Sequence, residues 1–221
     1  MNKLITIEGT DCSGKSTQVD LLIKRLKEQN KKVAYLKFPN YESPTGELIG
    51  EYILGRNGKG VFKEGASNVD PYVMSLYFTA DRLYNAKKIL ALLEDYNVIL
   101  DRYVGSNLAY RGASFKDDSE RNAFYKFSTD LEFGMLGLPK PDINIMLYMP
   151  TDYSKILKAG RQEQEDEFER DEEYARHVEK VYLEVADLMG YKVINCVENN
   201  KIRTIENISD ELVGFVLSEI D

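Results

Sequence analysis

Five short apolar runs punctuate this chain, at residues 4–7, 33–36, 98–100, 143–149 and 192–196. Within each run the apolar positions are nearly continuous rather than alternating, as in Leu4-Ile5-Thr6-Ile7 and Val98-Ile99-Leu100. Strands of a parallel sheet covered on both faces read this way. Between the runs the spacing becomes helical. Val19, Leu22, Ile23 and Leu26 recur at three and four residues. So do Val178, Val181, Tyr182, Val185, Leu188 and Met189, and near the end Ile205, Ile208, Leu212, Phe215 and Val216. The pattern predicts helices over residues 16–29 and about 72–93. Strand–helix alternation of this kind implies right-handed crossovers and a doubly wound α/β fold. Two stretches break it: residues 55–70 are glycine-rich and read as an exposed loop, and residues 160–173 hold eight acidic residues and two arginines. No internal repeat or long linker divides the chain, so residues 1–221 are expected to form one domain.

Composition narrows the function classes. The 221 residues are 43% hydrophobic and 30% charged, enough to bury a core without disulfide or metal support. The mean hydropathy of −0.41 argues against a membrane protein. A net charge of −8 excludes a global electrostatic footprint for nucleic acid, so an anionic ligand needs a few cations focused locally. Two cysteines, Cys12 and Cys196, suit a reducing compartment, and the single His177 excludes a multi-histidine zinc centre. The apolar run at the N-terminus is too short for a signal peptide. The expectation is a cytoplasmic protein with no nucleic-acid or membrane partner.

The first strand runs into Gly9-Thr10-Asp11-Cys12-Ser13-Gly14-Lys15-Ser16, which fits G-x-x-x-x-G-K-[ST] and opens the first helix. Glycines let successive N–H groups curl toward phosphate oxygens, and the helix start adds its positive dipole end. Lys15 would reach the β- and γ-phosphates, and the Ser16 hydroxyl would ligate Mg²⁺. Gly9, Asp11, Cys12, Ser13, Gly14, Lys15, Ser16 and Thr17 are therefore the expected ATP-binding residues. Asp101 and Arg102 end the third strand, at the carboxyl edge where open α/β sheets bind ligands. An aspartate there can hold Mg²⁺ and an arginine can clamp a phosphate, although a structural ion pair is the plainer alternative. Phe78 and Arg82 lie four residues apart on one helix face, which suits a base that stacks and accepts a hydrogen bond. Core packing of Phe78 beside a solvated Arg82 would explain the pair as well.

Beyond the loop, four patches resemble the thymidylate kinases almost end to end. They are Phe38-Pro39, the Phe78–Arg82 segment, Asp101-Arg102-Tyr103 followed by Ser106-Asn107-Leu108-Ala109-Tyr110, and residues 201–208. The resemblance implies a three-layer P-loop NTPase fold, with a five-stranded parallel sheet flanked by helices and a small lid at about residues 153–172. It implies transfer of phosphate from Mg-ATP to dTMP, giving dTDP for dTTP synthesis, and a homodimer packed through helices. In the acceptor site it implies that Arg102 grips the monophosphate, Phe78 stacks on thymine and Arg82 donates to O4. Asn107 approaches N3, Tyr110 crowds the sugar 2′ position, Asp11 bonds the 3′-hydroxyl, and Phe38, Pro39 and Ser106 complete the site. Asp101 and Ser16 orient the metal.

The chain departs from that pattern in three places. Arg111 stands where many bacterial relatives have glutamine. No arginine follows Phe38-Pro39 closely; Asn40 and Tyr41 do, and Arg56 is distant in sequence. The phosphate loop carries no arginine, so the lid should supply one, and Arg161 rather than Arg170 is expected to act beside Lys15, Asp101 and Arg102 in catalysis. Two alternatives stay open: a nucleotide kinase with another acceptor (dUMP or a deoxynucleoside), and a nucleotide-binding regulatory protein with impaired transfer.

Overall fold

A computed structural model describes residues 1–10, 12–158 and 172–220. The five apolar runs become β1 (Leu4–Gly9), β2 (Val33–Lys37), β3 (Asn97–Asp101), β4 (Ile143–Tyr148) and β5 (Lys192–Asn195). All neighbours pair in parallel, in the order β2-β3-β1-β4-β5. Every residue of β1 and β3, at the centre, is buried, which is why these segments are continuously apolar. Side chains alternate between faces. Ile5 and Ile7 meet α1 (Lys15–Glu28) and α8 (Ile205–Ile220) through Val19, Leu22, Leu212 and Val216. Leu4 and Leu100 face the other layer. That layer is α3 (Pro71–Leu93), α4 (Val104–Gly112), α5 (Asp118–Thr129) and α7 (Glu172–Leu188), which contribute Ile89, Leu108, Phe124, Val181 and Val185. Full burial of each such side chain contributes about 1.5–3 kcal/mol, so both layers are needed to cover the sheet. The expected α/β architecture with five parallel strands is present.

Parallel register brings the carboxyl ends together, with Asp101 opposite both Ile7 and Lys37, and Gly9 opposite Leu147. The phosphate loop, the Phe38-Pro39 turn and the Arg102 turn therefore leave the sheet at one edge.

Some elements escaped the periodicity. Helix α2 (Pro44–Leu48) runs into a π-helical turn at Ile49–Ile53 and is too short to show a stripe. Helix α5 buries Arg121 and Ser128 beside Phe124 and Tyr125, so polar residues mask its inward face. A small hairpin, β6 (Val197–Glu198) and β7 (Lys201–Ile202), follows β5. Residues 55–70 do form a mostly exposed loop, broken by 3₁₀ turns at Arg56–Gly58 and Ala66–Asn68. The expected lid, about residues 153–172, begins within α6 (Thr151–Lys158), and most of it, residues 159–171, lies outside the described residues. Among the described residues no helix is long and apolar enough to cross a membrane.

The turn after Pro39 is wedged against α2. A Cβ on Gly46 would stand 1.8 Å from the Asn40 carbonyl oxygen, and Asn40 N–H is itself tied to Asp81 Oδ2 at 2.8 Å. Gly46→Ala is expected to destabilise by about 2–3 kcal/mol and lower Tm by roughly 4–12 °C in a thermal melt. An unchanged Tm would show that this turn moves freely.

Candidate active site

The phosphate loop leaves β1 at Gly9, where a Cβ would come within 2.6 Å of Ser13 Oγ and 3.0 Å of the Leu147 oxygen, so a side chain there would push on the loop and on β4. Thr10 anchors the loop: its hydroxyl donates to the Met149 carbonyl (2.8 Å) and accepts from Met149 N–H (2.9 Å). Gly14 takes a left-handed backbone (φ 73°) as the N-cap of α1 and offers no side-chain acceptor. Ser43, Asp70 and Asp117 do cap α2, α3 and α5. The first N–H groups of α1 are thus left for an anion. Cys12 and Ser13 are buried in the loop, and Ser16 and Thr17 are exposed at the helix start. Asp11 lies outside the described residues.

Lys15 is buried and its ammonium pairs with Asp101 Oδ1, while Tyr35 donates to Asp101 Oδ2 at 3.3 Å. Burial, then the positive charge of Arg102, pushes the Lys15 pKa down to about 8, with Asp101 pulling the other way. Arg102 begins the turn after β3 in a left-handed conformation (φ 67°), which costs a non-glycine residue about 1–2 kcal/mol. It is braced there. Its N–H donates to the Ile7 carbonyl (3.0 Å), and Nη1 donates to Ser106 Oγ (3.0 Å) and the Tyr182 hydroxyl (2.9 Å). Behind them Glu8, fully buried, accepts from the N–H groups of Tyr103 (2.8 Å) and Ser106 (3.0 Å) on Oε1. Its Oε2 accepts from the hydroxyls of Ser106 and Tyr182.

Next to Arg102 a cavity of about 450 Å³ opens. Phe38, Pro39, Phe78, Arg82, Arg102, Ser106, Asn107 and Tyr110, every expected acceptor residue among the described ones, line it. Arg82 is not solvated. It is buried and held in a two-armed pair with Glu132, Nε to Oε2 and Nη2 to Oε1, both at 2.6 Å. Burial alone would lower its pKa; the Glu132 carboxylate turns the shift upward. The Arg102 guanidinium lies 5.4 Å from the Tyr110 ring centroid. Arg111, read from the sequence as a departure, is buried against the cavity with its guanidinium 6.0 Å from the Phe78 ring, and burial lowers its pKa. Arg56, distant in sequence, is brought to the same cavity and stacks 4.1 Å above the Tyr41 ring. With Lys37, five cationic side chains face one carboxylate, Asp81, in the lining of this cavity. Such an arrangement attracts an anion despite the chain's net charge.

Comparison with known proteins decides what this edge belongs to. Residues 7–208 match the family model described as thymidylate kinase. The chain belongs to the thymidylate kinase family. It is 35% identical over 190 residues to the thymidylate kinase of Mycobacterium tuberculosis, covering 83% of this chain and 85% of that one. A probable thymidylate kinase of Pyrococcus abyssi is 31% identical over 221 residues, covering 98% and 96%. The solved thymidylate kinase of Candida albicans superposes with a TM-score of 0.74 at 25% identity, covering 98% and 92%.

Within this thymidylate kinase fold, sequence reasoning overlooked Glu8, Asp81, Glu132 and Tyr182, and set Arg56 aside as distant. Glu8 did leave a signal, a charge in the middle of a strand expected to be wholly buried. Glu132 left none, because only a packed α5 shows that it meets Arg82, 50 residues away. Arg161 and Arg170 lie outside the described residues.

Since Lys15 titrates near 8, its charge is lost as pH rises through that value, and a neutral amine cannot pair with polyphosphate. Affinity for ATP is expected to fall by up to about tenfold per pH unit above that point, measured as equilibrium binding at fixed ionic strength. Affinity that stays constant into the lysine range would mean that Lys15 keeps its proton.

Proposed function

We propose that the protein transfers the γ-phosphoryl group of ATP to dTMP, giving ADP and dTDP, in the cytoplasm and in the service of dTTP synthesis. One observation carries this reading: the expected acceptor residues share one cationic cavity that meets the phosphate loop at the Lys15–Asp101–Arg102 cluster. In-line phosphoryl transfer depends on positioning and charge neutralisation rather than covalent chemistry. The loop N–H groups and Lys15 hold the donor phosphates, which compete with Asp101 for the ammonium. Arg102, kept in place by Ser106 and Tyr182, holds the acceptor phosphate. Phe78 stacks on the base, Arg82 and Asn107 read its edge, and Tyr110 favours a sugar without a 2′-hydroxyl. Asp11 at the 3′-hydroxyl and Arg161 over the transferring group complete the proposal from outside the described residues.

Magnesium fits the donor set. The exposed Ser16 hydroxyl and the Asp101 carboxylate are hard oxygen donors, and among the described residues no three His, Cys, Asp or Glu side chains cluster as a dedicated cage. That suits an ion held by one or two protein oxygens plus substrate phosphates. Ser16 and Asp101 would hold it, and when bound it offsets negative charge on the phosphates. Both cysteines are buried and not disulfide-bonded, in keeping with a reducing compartment.

The homodimer has support on α3. Leu76, Leu83 and Leu90 recur every seven residues and are 49%, 41% and 52% exposed, with Val73 and Tyr84 beside them. An apolar stripe of this length on a helix whose other face carries Phe78 and Arg82 needs cover. Leu83→Asp is expected to turn a dimer into a monomer by sedimentation or light scattering; a monomeric wild type would remove this part of the proposal.

Two kinetic tests address the reaction. A coupled ADP-release assay over a panel of monophosphates should show dTMP preferred over dCMP and over the ribose form of TMP, and Lys15→Ala should stay folded while losing about 100-fold or more in turnover. Near wild-type turnover of Lys15→Ala, or equal kcat/KM for dTMP and dCMP, would overturn the donor or the base assignment respectively.

A further inference from the structure

Helix α5 ends in a π-helical turn, Asp130–Met135, that buries Glu132 completely against Arg82 and Asn107. This one carboxylate receives four hydrogen bonds. Arg82 supplies two, from Nε and Nη2; Thr79 Oγ1 supplies a third at 3.1 Å; Asn107 Nδ2 supplies the fourth at 3.4 Å. Asn107 Nδ2 is also 2.8 Å from Ser75 Oγ.

A carboxylate only accepts, so it dictates which way the Asn107 amide turns. The nitrogen faces Glu132, and Oδ1 faces away. That oxygen is buried and, among the described residues, has no hydrogen-bond partner, on a residue that lines the cavity. A buried acceptor left in this way is satisfied by a donor on the ligand. The same carboxylate occupies Nε and Nη2 of Arg82 and leaves Nη1 outside that pair, on a residue that lines the cavity. Together the two residues offer an acceptor beside a donor. A pyrimidine with N3–H and a carbonyl at C4 complements that pair. Cytosine, with a bare N3 and an amino group at C4, opposes it at both points.

We propose that Glu132 is the positioning residue that sets selectivity for a 2,4-dioxopyrimidine, acting through Asn107 and Arg82 without touching the base. This deepens the reading that those two residues face the base, and rests on it. Burying an ion pair contributes little stability over well-packed apolar side chains, so orientation of donors and acceptors is the more economical account of this one.

Glu132→Gln keeps the volume and places an amide N–H against donors. With the amide oxygen at the Oε1 position, where three donors converge, Arg82 Nε loses its acceptor; with the amide reversed, Asn107 gains by turning over as well, which puts its Nδ2 toward the base. The test is steady-state kinetics of the full-length protein with dTMP and dCMP, for wild type, Glu132→Gln, Glu132→Asp and Asn107→Ala, with a thermal melt of each. For Glu132→Gln the expected result is a fall of about tenfold or more in the dTMP/dCMP ratio of kcat/KM. The loss should come through KM for dTMP, with KM for ATP unchanged. A purely structural role would lower Tm and leave the ratio alone, and a wild-type ratio in folded Glu132→Gln overturns the proposal. Should that variant not fold, Glu132→Asp, which keeps the charge but withdraws it by one methylene, must move the ratio in the same direction, and an unmoved ratio overturns the proposal equally. Asn107→Ala separates the two layers of argument. If it collapses the ratio while folded Glu132→Gln does not, only the role of Glu132 fails. If it leaves the ratio unmoved, the base reading itself fails and takes the role of Glu132 with it.

Discussion

Glu8 is a charge placed where a strand should be apolar, and the site is assembled around making it acceptable. Two backbone N–H groups at the start of α4 and the hydroxyls of Ser106 and Tyr182 converge on its carboxylate. Those four donors come from β3's exit, α4 and α7, so satisfying one buried anion fixes three elements relative to β1. Helix α4 has no cap of its own, because Tyr103 at its N-cap offers no side-chain acceptor. The sheet supplies the cap instead. Removing such a group leaves several buried donors unmet, each costing about 1–3 kcal/mol. The strained turn at Arg102 is held by the same network.

The device is repeated. Asp81 on α3 accepts from Asn40 N–H and from the hydroxyls of Ser43 and Thr45, and thereby docks the turn after Pro39. Glu132 does the same for Arg82 and Asn107. Three buried carboxylates, each from a different element, therefore hold three walls of one cavity. The cavity still has a positive lining, because five cationic side chains line it against Asp81 alone, while Glu8 and Glu132 are not part of the lining. An acidic chain can in this way present cations to an anion without changing its net charge.

How much of this could be read from the sequence follows from the range of the interactions. The sheet was legible because β1 and β3 are buried on both faces, which leaves an unbroken apolar run in a few consecutive residues. The phosphate loop was legible because its geometry is local, with Gly9, Gly14 and Lys15 within one turn of chain. The acceptor residues were reached by resemblance, through short patches at constant spacing. The carboxylates that orient them were not. Glu8 meets Ser106 across 98 residues, and Glu132 meets Arg82 across 50, in neither case with a periodicity to announce it. Helix α5, with an arginine and a serine among its buried positions, hides its own inward face for the same reason.

The stacking of Arg56 on Tyr41 changes how the loop at residues 55–70 should be regarded. A glycine-rich, exposed connection is ordinarily the part of a domain where insertions and deletions accumulate at little cost. Here the start of the loop carries a guanidinium to the wall of the cavity, where the Tyr41 ring holds it. Gly55, left-handed and in contact with Gly60, closes the turn that delivers it. Chains that trim or extend this loop would alter the field inside the cavity while leaving every motif residue in place.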